Sequence, residues 1–312
     1  MSTVNLKVSV KTLRNGKSEI RLGDKSVSTG KTGRELEQVV EYHYKKITGV
    51  KAPFAMIVGS SSLSEPKIDK FGINKRFEFV EKLVTMVATG VQPSAIITGE
   101  GGLGKTYTVT KTLEANGYKD ISDLADFEVG MLINMRKCFT MVKGYSTPKG
   151  LYRTLYENNK SIIVFDDCDS VLKDPVALNI LKSALDSYGK RIISWNADMR
   201  DDDLPRSFNF EGRVIFISNL DDGKIDQAIR SRSMMIDLSM TTDQKIERME
   251  TIAQSEEFLP EYDKGIINDA LGLIREIKEE CKEISLRTLI AVSKIRANNK
   301  DWKDLATYML TA

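Results

Sequence analysis

Histidine and cysteine are scarce in this chain. Among its 312 residues there is one histidine, His43, and there are three scattered cysteines at positions 138, 168 and 281. One histidine argues against catalytic triads and against metal centres built on several imidazoles, and no Cys-x-x-Cys pair is present to hold zinc. This cysteine usage is typical of a reducing compartment and of a fold without a disulfide framework.

The sequence also lacks a long hydrophobic run and a large net charge. No apolar stretch approaches the roughly 18–20 residues that a membrane-spanning helix needs, and the N-terminus shows no apolar signal region. These absences predict a cytoplasmic protein with no membrane partner. The formal net charge of +2 indicates no particular partner, and 41% hydrophobic with 29% charged residues is ordinary for a globular chain.

Residues 1–70 are predicted to form a separate N-terminal region, a basic arm with a small α+β fold. Apolar and polar residues alternate over 4–10 as in a half-buried strand, residues 33–46 fit a short helix, and 55–58 fit another strand. Basic residues greatly outnumber acidic ones between Lys7 and Arg34. Such a segment can contact nucleic-acid phosphates, or it can be a solvated arm or edge strand.

Short apolar strands alternate with helices over residues 71–240. The predicted strands are 95–98, 139–142, 162–165, 192–195 and 214–217, and the predicted helices are 74–90, 105–115, 149–158 and 176–187. This alternation is typical of an α/β fold in which helices cover both faces of a parallel sheet, a three-layer αβα core.

The pattern becomes all-helical over residues 241–312. Helices are predicted over 244–255, 264–281 and 286–298. We therefore expect a small C-terminal helical domain.

The strongest motif is the run Gly99-Glu100-Gly101-Gly102-Leu103-Gly104-Lys105-Thr106, which matches the phosphate-loop pattern G-x-x-x-x-G-K-[ST] between a strand and a helix. Glycines allow turns in which backbone N–H groups surround phosphates, and the helix N-terminus adds partial positive charge. Lys105 is expected to contact the β- and γ-phosphates of ATP, and Thr106 to ligate Mg²⁺, with Tyr107 beside them. The alternative is a glycine turn that merely precedes a helix.

A second motif follows one strand later. The apolar residues 162–165 run directly into Asp166 and Asp167, so that a buried strand delivers two carboxylates at the edge where ligands bind in open α/β sheets. Asp166 is expected to hold Mg²⁺, and Asp167 to polarise the attacking water as a general base.

Together these motifs resemble those of the AAA+ ATPase superfamily of P-loop NTPases, over roughly residues 74–298. The strand at 214–217 ends in Ser218-Asn219, which resembles sensor 1, and this likeness gives Asn219 the task of reading the γ-phosphate. Family members with a compact motor and a short N-terminal region include ATPases of bacteriophages and mobile elements, which this chain resembles.

The resemblance extends to two arginine sites. The segment 225–233 is similar to the one that carries the arginine finger, with Arg232 as the first candidate and Arg230 as the second. A finger acting on a neighbouring subunit implies a homo-oligomer, a hexamer by family analogy. Arg287 lies in a stretch, 285–289, that resembles sensor 2, and this likeness implies that residues 241–312 form a helical lid domain over a nucleotide-binding core. Surface ion pairs or a solvated helix arginine are the alternatives.

The sequence departs from the family pattern in three places. Asp167 stands where the family usually has glutamate, so hydrolysis could be slow, and residues 118–137 are predicted to contain an insertion. The loop after the strand at 139–142 is short, and Lys143, Tyr145 and Lys149 are the candidates for gripping a substrate in a central pore, with a packed turn tyrosine as the alternative.

Three functions remain open at this point. The preferred one is a ring-forming ATPase that remodels DNA or a DNA–protein complex in replication, recombination or helicase loading; residues 194–200, including Trp195, resemble the hairpin of nucleic-acid-directed members, although Trp195 fits a core position equally. The others are a protein-remodelling ATPase and a slow, nucleotide-switched assembly module. The fold itself does not set the substrate.

Overall fold

The computed structural model describes residues 8–12, 18–22, 25–29, 33–48, 70–122, 134–186, 189–196, 204–220 and 222–312. The chain divides into two compact units, Met1–Lys70 and Phe71–Ala312. The strand predicted at 55–58, most of the insertion predicted within 118–137, and the end of the segment 194–200 lie outside the described residues.

The N-terminal unit contains an antiparallel sheet and one helix. Strands β1 (Val8–Thr12), β2 (Ser18–Leu22) and β3 (Lys25–Thr29) pair in that order, and helix α1 (Gly33–Thr48) contacts β2. Ile20 and Leu22 alternate with exposed Arg21 on β2, and Val40 and Tyr44 are buried one helical turn apart on α1. The strand expected over 4–10 thus continues to Thr12 in its described part.

The second unit is built on a six-stranded parallel sheet with the order β11-β4-β10-β7-β6-β5. Its strands are β4 (Ser94–Thr98), β5 (Lys119–Asp120), β6 (Cys138–Lys143), β7 (Ile162–Asp166), β10 (Arg213–Ser218) and β11 (Met234–Asp237). Helix α2 (Ile73–Ala88) precedes the first of these strands, and the helices between them are α3 (Lys105–Ala115), α4 (Pro148–Glu157), α5 (Pro175–Ala184) and α6 (Gln227–Arg230).

Helices flank both faces of this sheet, as the strand sequences require. Alternate residues of β7 point to opposite faces: Ile163 and Phe165 join a core with α4 and α5, while Ile162 and Val164 join a core with α2 and α3. Because both faces are covered, the strands are apolar throughout. The arrangement is compatible with a three-layer αβα core.

The register brings three strand ends together. Thr98 at the end of β4 lies opposite Ser218 of β10, and Ile217 of β10 lies opposite Asp166 of β7. In chain order, β4 is followed by β5, which forms one edge of the sheet. Strand β11 lies on the other side of β4 and forms the opposite edge. The carboxyl ends of β4, β7 and β10 therefore border a crevice of the kind in which open α/β sheets bind ligands.

The strand predicted at 192–195 is not part of the parallel sheet. Strand β8 (Ile192–Ser194) pairs antiparallel with β9 (Ser207–Asn209) in a separate two-stranded sheet. Trp195 follows β8, is half-buried, and lies with its ring centre 5.8 Å from that of Tyr152. Trp195 therefore packs at the edge of the core, which agrees with its interpretation as a core residue.

Four helices complete the chain and share a core of their own. They are α7 (Thr242–Ala253), α8 (Lys264–Glu276), α9 (Leu286–Asn298) and α10 (Trp302–Thr311). Helix α8 ends before the predicted residue 281, and α10 was not predicted. Arg248 of α7 lies 3.7 Å from the centre of the Phe77 ring on α2, a cation–π contact that joins these helices to the sheet layer. No described helix is long and apolar enough to span a membrane.

Candidate functional site

The glycine-rich segment forms the loop between β4 and α3. Gly99, Gly102 and Gly104 have φ values of 129°, 76° and 93°, a region that side chains rarely adopt. A Cβ on Gly99 would lie 2.8 Å from the carbonyl carbon of Leu238, so this position excludes side chains for lack of space as well. The glycines thus allow the loop to curl tightly over the start of α3.

This curl leaves a row of backbone donors unused. Among the described residues, the structure gives no protein acceptor for the backbone N–H groups of residues 101–106. The first N–H groups of α3 belong to this set because a helix cannot satisfy them internally. Unpaired N–H groups that converge at a helix N-terminus form a concave anion-binding surface, to which the helix dipole adds about half a positive charge.

Lys105 lies buried at the centre of the loop. Its Nζ donates hydrogen bonds to the carbonyl oxygens of Gly99 and Glu100, the latter at 2.7 Å, and to Asn219 Oδ1 at 2.9 Å. Burial lowers the pKa of Lys105, and the nearby carboxylates of Asp167 and Asp166 oppose that change. A partly desolvated ammonium beside free N–H groups favours a bound anion.

Thr106 and Asp166 are directly paired. Thr106 Oγ1 donates to Asp166 Oδ1 at 3.0 Å, which joins the first turn of α3 to the end of β7. Burial raises the pKa of Asp166, and the negative charge of Asp167 adds to this, while the hydrogen bond from Thr106 and the positive charges of Lys143 and Lys105 oppose it. A hydroxyl and a carboxylate in contact are hard oxygen donors of the kind that Mg²⁺ uses.

These donors agree with a particular type of metal site. No group of three or more His, Cys, Asp or Glu side chains that could hold a metal occurs among the described residues. Mg²⁺ commonly takes one or two protein oxygens and completes its shell with phosphates and water. Thr106 and Asp166 would suit that arrangement, whereas zinc or calcium would need a larger set of protein ligands.

Asp167 and Asn219 form the second polar pair of the site. Asn219 Nδ2 donates to Asp167 Oδ1 at 2.8 Å, while its Oδ1 accepts from Lys105, so one amide links the lysine to the second carboxylate. Asp167 has a φ of 53°. Aspartate and asparagine tolerate this left-handed conformation better than most residues, which gives a structural reason for the short acid at this position.

The helical segment reaches the loop from the other side. The backbone N–H of Leu286 donates to the carbonyl oxygen of Gly102 at 2.8 Å, and Ser285 caps α9 beside it. Arg287, in the first turn of α9, is exposed and forms no hydrogen bond with a described residue.

A cavity of about 130 Å³ lies between these groups. The residues that line it include most of the predicted site: Gly101, Gly102, Gly104, Lys105, Thr106, Tyr107, Asp166, Asp167, Asn219 and Arg287. The glycine-rich segment, the two carboxylates at the end of β7, Asn219 and Arg287, which are distant in sequence, therefore meet at one place at the carboxyl edge of the sheet.

Three predicted binding residues lie at the margin. Glu100 pairs through its side chain with Lys245, and only its backbone carbonyl contacts Lys105. Leu103 is buried in the loop, and the hydroxyl of Tyr107 contacts Glu257. The Tyr107 side chain is 54% exposed beside the cavity and is therefore accessible to a ligand, whereas the buried Leu103 side chain is not.

The two finger candidates lie away from the cavity. Arg230 and Arg232 precede β11, and the backbone carbonyl of Arg232 accepts from the hydroxyl of Ser94 at the amino end of β4. Arg232 is half-buried, with Nη1 donating to the carbonyl of Ala228 at 3.0 Å, whereas Arg230 is exposed. Both are therefore at the opposite edge of the sheet from the glycine loop of the same chain.

The predicted pore residues separate into two environments. Tyr145 is 80% exposed, which excludes a turn tyrosine packed on its own helix, and Lys149 is half-buried in the first turn of α4. Lys143 instead ends β6, next to β7, with Nζ 4.0 Å from Asp166 Oδ2. Its position associates it with the carboxylates of the candidate site.

No protein-family model matches this chain. It is similar to an uncharacterized 36.7 kDa protein in the nrdC-mobD intergenic region of Enterobacteria phage T4. The two are 29% identical over 259 residues, which cover 76% of this chain and 74% of the phage protein. The similarity hints at a phage origin and carries no information about activity.

Two polar residues of this region were not predicted as site residues. Ser218 Oγ donates to Asp169 Oδ1 at 2.6 Å and accepts from the backbone N–H of Leu220 at 3.0 Å. This pair fixes the turn after β10 from which Asn219 projects. The sequence signal for this pair is Asp169, the third acid of the run 166–169. Its partner Ser218 could be identified only once β7 and β10 were known to be neighbours.

Proposed function

We propose that this protein binds ATP with Mg²⁺ at the glycine loop and hydrolyses it, as an ATPase of the AAA+ type. One observation carries the proposal: unpaired N–H groups, a buried lysine and a threonine–aspartate pair converge on one cavity. The cavity combines an anion-binding surface with oxygen donors for a divalent cation, which a Mg²⁺-bound triphosphate requires together.

Each residue then has a distinct task. The loop N–H groups and Lys105 hold the phosphates, while Thr106 and Asp166 would hold Mg²⁺, which supplies charge neutralisation when bound. Asp167 orients the attacking water and takes up its proton, and Asn219 keeps that carboxylate in place through the 2.8 Å hydrogen bond. Arg287 would contact the phosphates from the helical segment, which acts as the lid.

The test is ATP hydrolysis by the full chain and by single variants. Lys105→Ala should lower nucleotide affinity and hydrolysis by about a hundredfold or more, as expected for removal of a buried phosphate contact. Asp167→Asn should retain binding but lose hydrolysis. Lys82→Ala, at an exposed lysine of helix α2 outside the cavity, is the control and should behave as the parent. If Lys105→Ala hydrolyses ATP as fast as Lys82→Ala and the parent, the proposal is wrong.

For the substrate, we propose DNA or a DNA–protein complex handled by a ring. The support is Tyr145, whose 80% exposure presents an aromatic face to a strand of nucleic acid. The same exposure suits a grip on a polypeptide, so protein remodelling is the second candidate. A third candidate is a slow, nucleotide-switched assembly module, which the short side chain of Asp167 favours.

Single-stranded DNA distinguishes these candidates. A DNA-directed ATPase should hydrolyse ATP faster when the DNA is added at low salt, and Tyr145→Ala should abolish that stimulation while its basal rate stays unchanged. Absence of both DNA binding and stimulation would favour the protein-directed function. A turnover that stays slow in the assembled oligomer with either substrate would indicate the switch.

A further inference from the structure

A large cavity lies at the amino edge of the parallel sheet, away from the glycine loop. It has a volume of about 880 Å³, a size typical of ligand pockets. Its walls come from the segments that enter three core strands, namely Pro93 before β4, Lys137 before β6 and Lys160 shortly before β7, together with Arg213 at the start of β10. The site proposed above uses the opposite ends of the same strands.

Positive charge dominates this cavity. Five cationic side chains line it against two carboxylates; the cations are Arg136, Lys137, Lys160, Arg191 and Arg213, and the carboxylates are Asp186 and Glu211. Arg136 Nη2 is paired with Glu211 Oε2 at 2.7 Å. Among the described residues, no carboxylate lies within ion-pair distance of Lys137, Lys160, Arg191 or Arg213. The cavity therefore carries uncompensated positive charge.

Helix ends account for two of these cations. Arg213 Nη1 donates to the carbonyl oxygens of Val87 and Ala88 at 2.8 and 2.7 Å, at the end of α2. Arg191 Nη1 donates to the carbonyl of Ala184 at 3.2 Å, the last residue of α5. Helix C-termini carry a partial negative charge and favour such contacts. Burial lowers the pKa of Arg191, and the charge of Arg213 adds to this effect, while the negative charge of Glu211 opposes it.

No described helix C-terminus accounts for Lys137 or Lys160. Both are exposed, and the contact of Lys137 is with the face of the Tyr118 ring, whose centre lies 4.9 Å from Nζ. Lys160 has a φ of 82°, a conformation that costs a lysine about 1 kcal/mol or more and that glycine would adopt freely. Lys160 adopts it in the turn before β7, where the N–H of Ser161 donates to the carbonyl oxygen of Asn158 at 3.1 Å, and this turn places its charge in the cavity lining.

The lining favours recognition of charge over recognition of a base. Tyr118 is 6% exposed, and its hydroxyl donates to the carbonyl of Ala88 at 2.6 Å, so its ring is not open for stacking. Lysine and arginine side chains that surround a concave space are suited to phosphate oxygens, which accept several charge-assisted hydrogen bonds at once.

We propose that this cavity binds a phosphate-bearing polyanion, with Lys137 and Lys160 as the adjustable contacts and Arg191 and Arg213 as the fixed ones. The phosphates can belong to a compact free anion or to the backbone of a nucleic-acid strand. The inference stands on the cavity alone and does not depend on ATP binding at the glycine loop.

The test uses inorganic pyrophosphate as the probe and the full chain carrying Lys105→Ala, so that the glycine loop contributes little to binding. Titration calorimetry at low salt measures the affinity. In this background, Lys137→Gln with Lys160→Gln should weaken binding about tenfold or more, since each removes a charge-assisted contact. Lys294→Gln with Lys300→Gln removes the same charge from exposed positions outside the cavity and should change the affinity little.

A second titration with a single-stranded oligonucleotide identifies the source of the phosphate. If the oligonucleotide competes with pyrophosphate and the Lys137/Lys160 double variant weakens both, the ligand is a nucleic-acid backbone. If only pyrophosphate binding responds, it is a free anion. If neither probe binds, or if both double variants behave alike, the proposal is overturned and the arginines only cap helices α2 and α5.

Discussion

At the scale of single residues, Lys143 is the position whose interpretation the structure changes most. Its sequence context suggested a pore contact, yet its Nζ lies 4.0 Å from Asp166 Oδ2 at the carboxyl edge of the sheet. Its positive charge also opposes the rise in the pKa of Asp166 that burial causes. A cation here would face the transferred phosphate under the proposed function.

Replacement of Lys143 distinguishes a role in ATP hydrolysis from a role as a pore contact. We expect Lys143→Ala to lower basal ATP hydrolysis about tenfold, less than a fully buried donor would, because the side chain is largely exposed. Lys143→Arg should restore most of the rate because it keeps the charge. Steady-state hydrolysis without nucleic acid is the measurement. A Lys143→Ala protein that keeps its basal rate and loses only stimulation by DNA would show that the lysine serves a pore.

The residues of the glycine loop were predictable because their chemistry is local. A run from Gly99 to Thr106 between a strand and a helix specifies its own turns and its own N–H groups. The hydrogen bond from Leu286 to Gly102 and the approach of Lys143 to Asp166 were not predictable, because they depend on which strands and helices are neighbours. Spacing within one segment carries no information about the order of strands in a sheet.

At the scale of elements, the loop between β4 and α3 has a steric requirement that a matched pair of variants can measure. Gly99→Ala places a Cβ 2.8 Å from the backbone of Leu238 at a φ of 129°. Gly117→Ala meets no atom within 4 Å and is strained only by its φ of 78°. Both changes add the same methyl group at a positive φ.

We expect Gly117→Ala to cost about 1 kcal/mol in free energy of unfolding, which is the penalty of the left-handed conformation alone. Gly99→Ala should cost about 2 kcal/mol more, because its φ of 129° lies further from the left-handed region and because the backbone of Leu238 must move. Urea unfolding of the two variants and the parent measures the difference. Equal losses would mean that the approach of Gly99 to Leu238 does not limit this loop.

Strand prediction succeeded or failed for physical reasons. Residues 162–165 are buried on both faces, so an uninterrupted apolar run identified β7. Strand β8 looked similar, but Ile192 is 48% exposed and the strand pairs in a separate hairpin. Strand β11 (Met234–Asp237) is a short edge strand with no fully buried residue, and it was missed. Short runs of apolar residues do not reveal their pairing partners.

At the scale of the whole molecule, the two edges of the parallel sheet differ in chemistry. The carboxyl edge carries the glycine loop, the carboxylates and Asn219, whereas Arg230 and Arg232 lie near the amino end of β4. A five-residue strand separates the finger candidates from the cavity of their own chain. If either arginine assists hydrolysis, it does so most simply in the cavity of a neighbouring copy.

Mixing two inactive variants tests this arrangement. Asp167→Asn keeps both arginines but lacks the proposed general base, and Arg230→Ala or Arg232→Ala keeps Asp167 but lacks one finger candidate. Each homogeneous protein should hydrolyse ATP slowly. In mixed oligomers, a site with an intact Asp167 can face a neighbour with intact arginines, so we expect the mixture to hydrolyse ATP faster than either variant by itself.

The size of the recovery also identifies the finger. Because Arg230 is exposed whereas Arg232 is half-buried, we expect Arg230→Ala to give the larger recovery on mixing and Arg232→Ala to lose some stability as well. Hydrolysis is measured against the mixing ratio at a fixed total concentration, and it should pass through a maximum at an intermediate ratio. If the hydrolysis rate instead varies linearly with the mixing ratio, between the rates of the two homogeneous variants, each chain completes its own site.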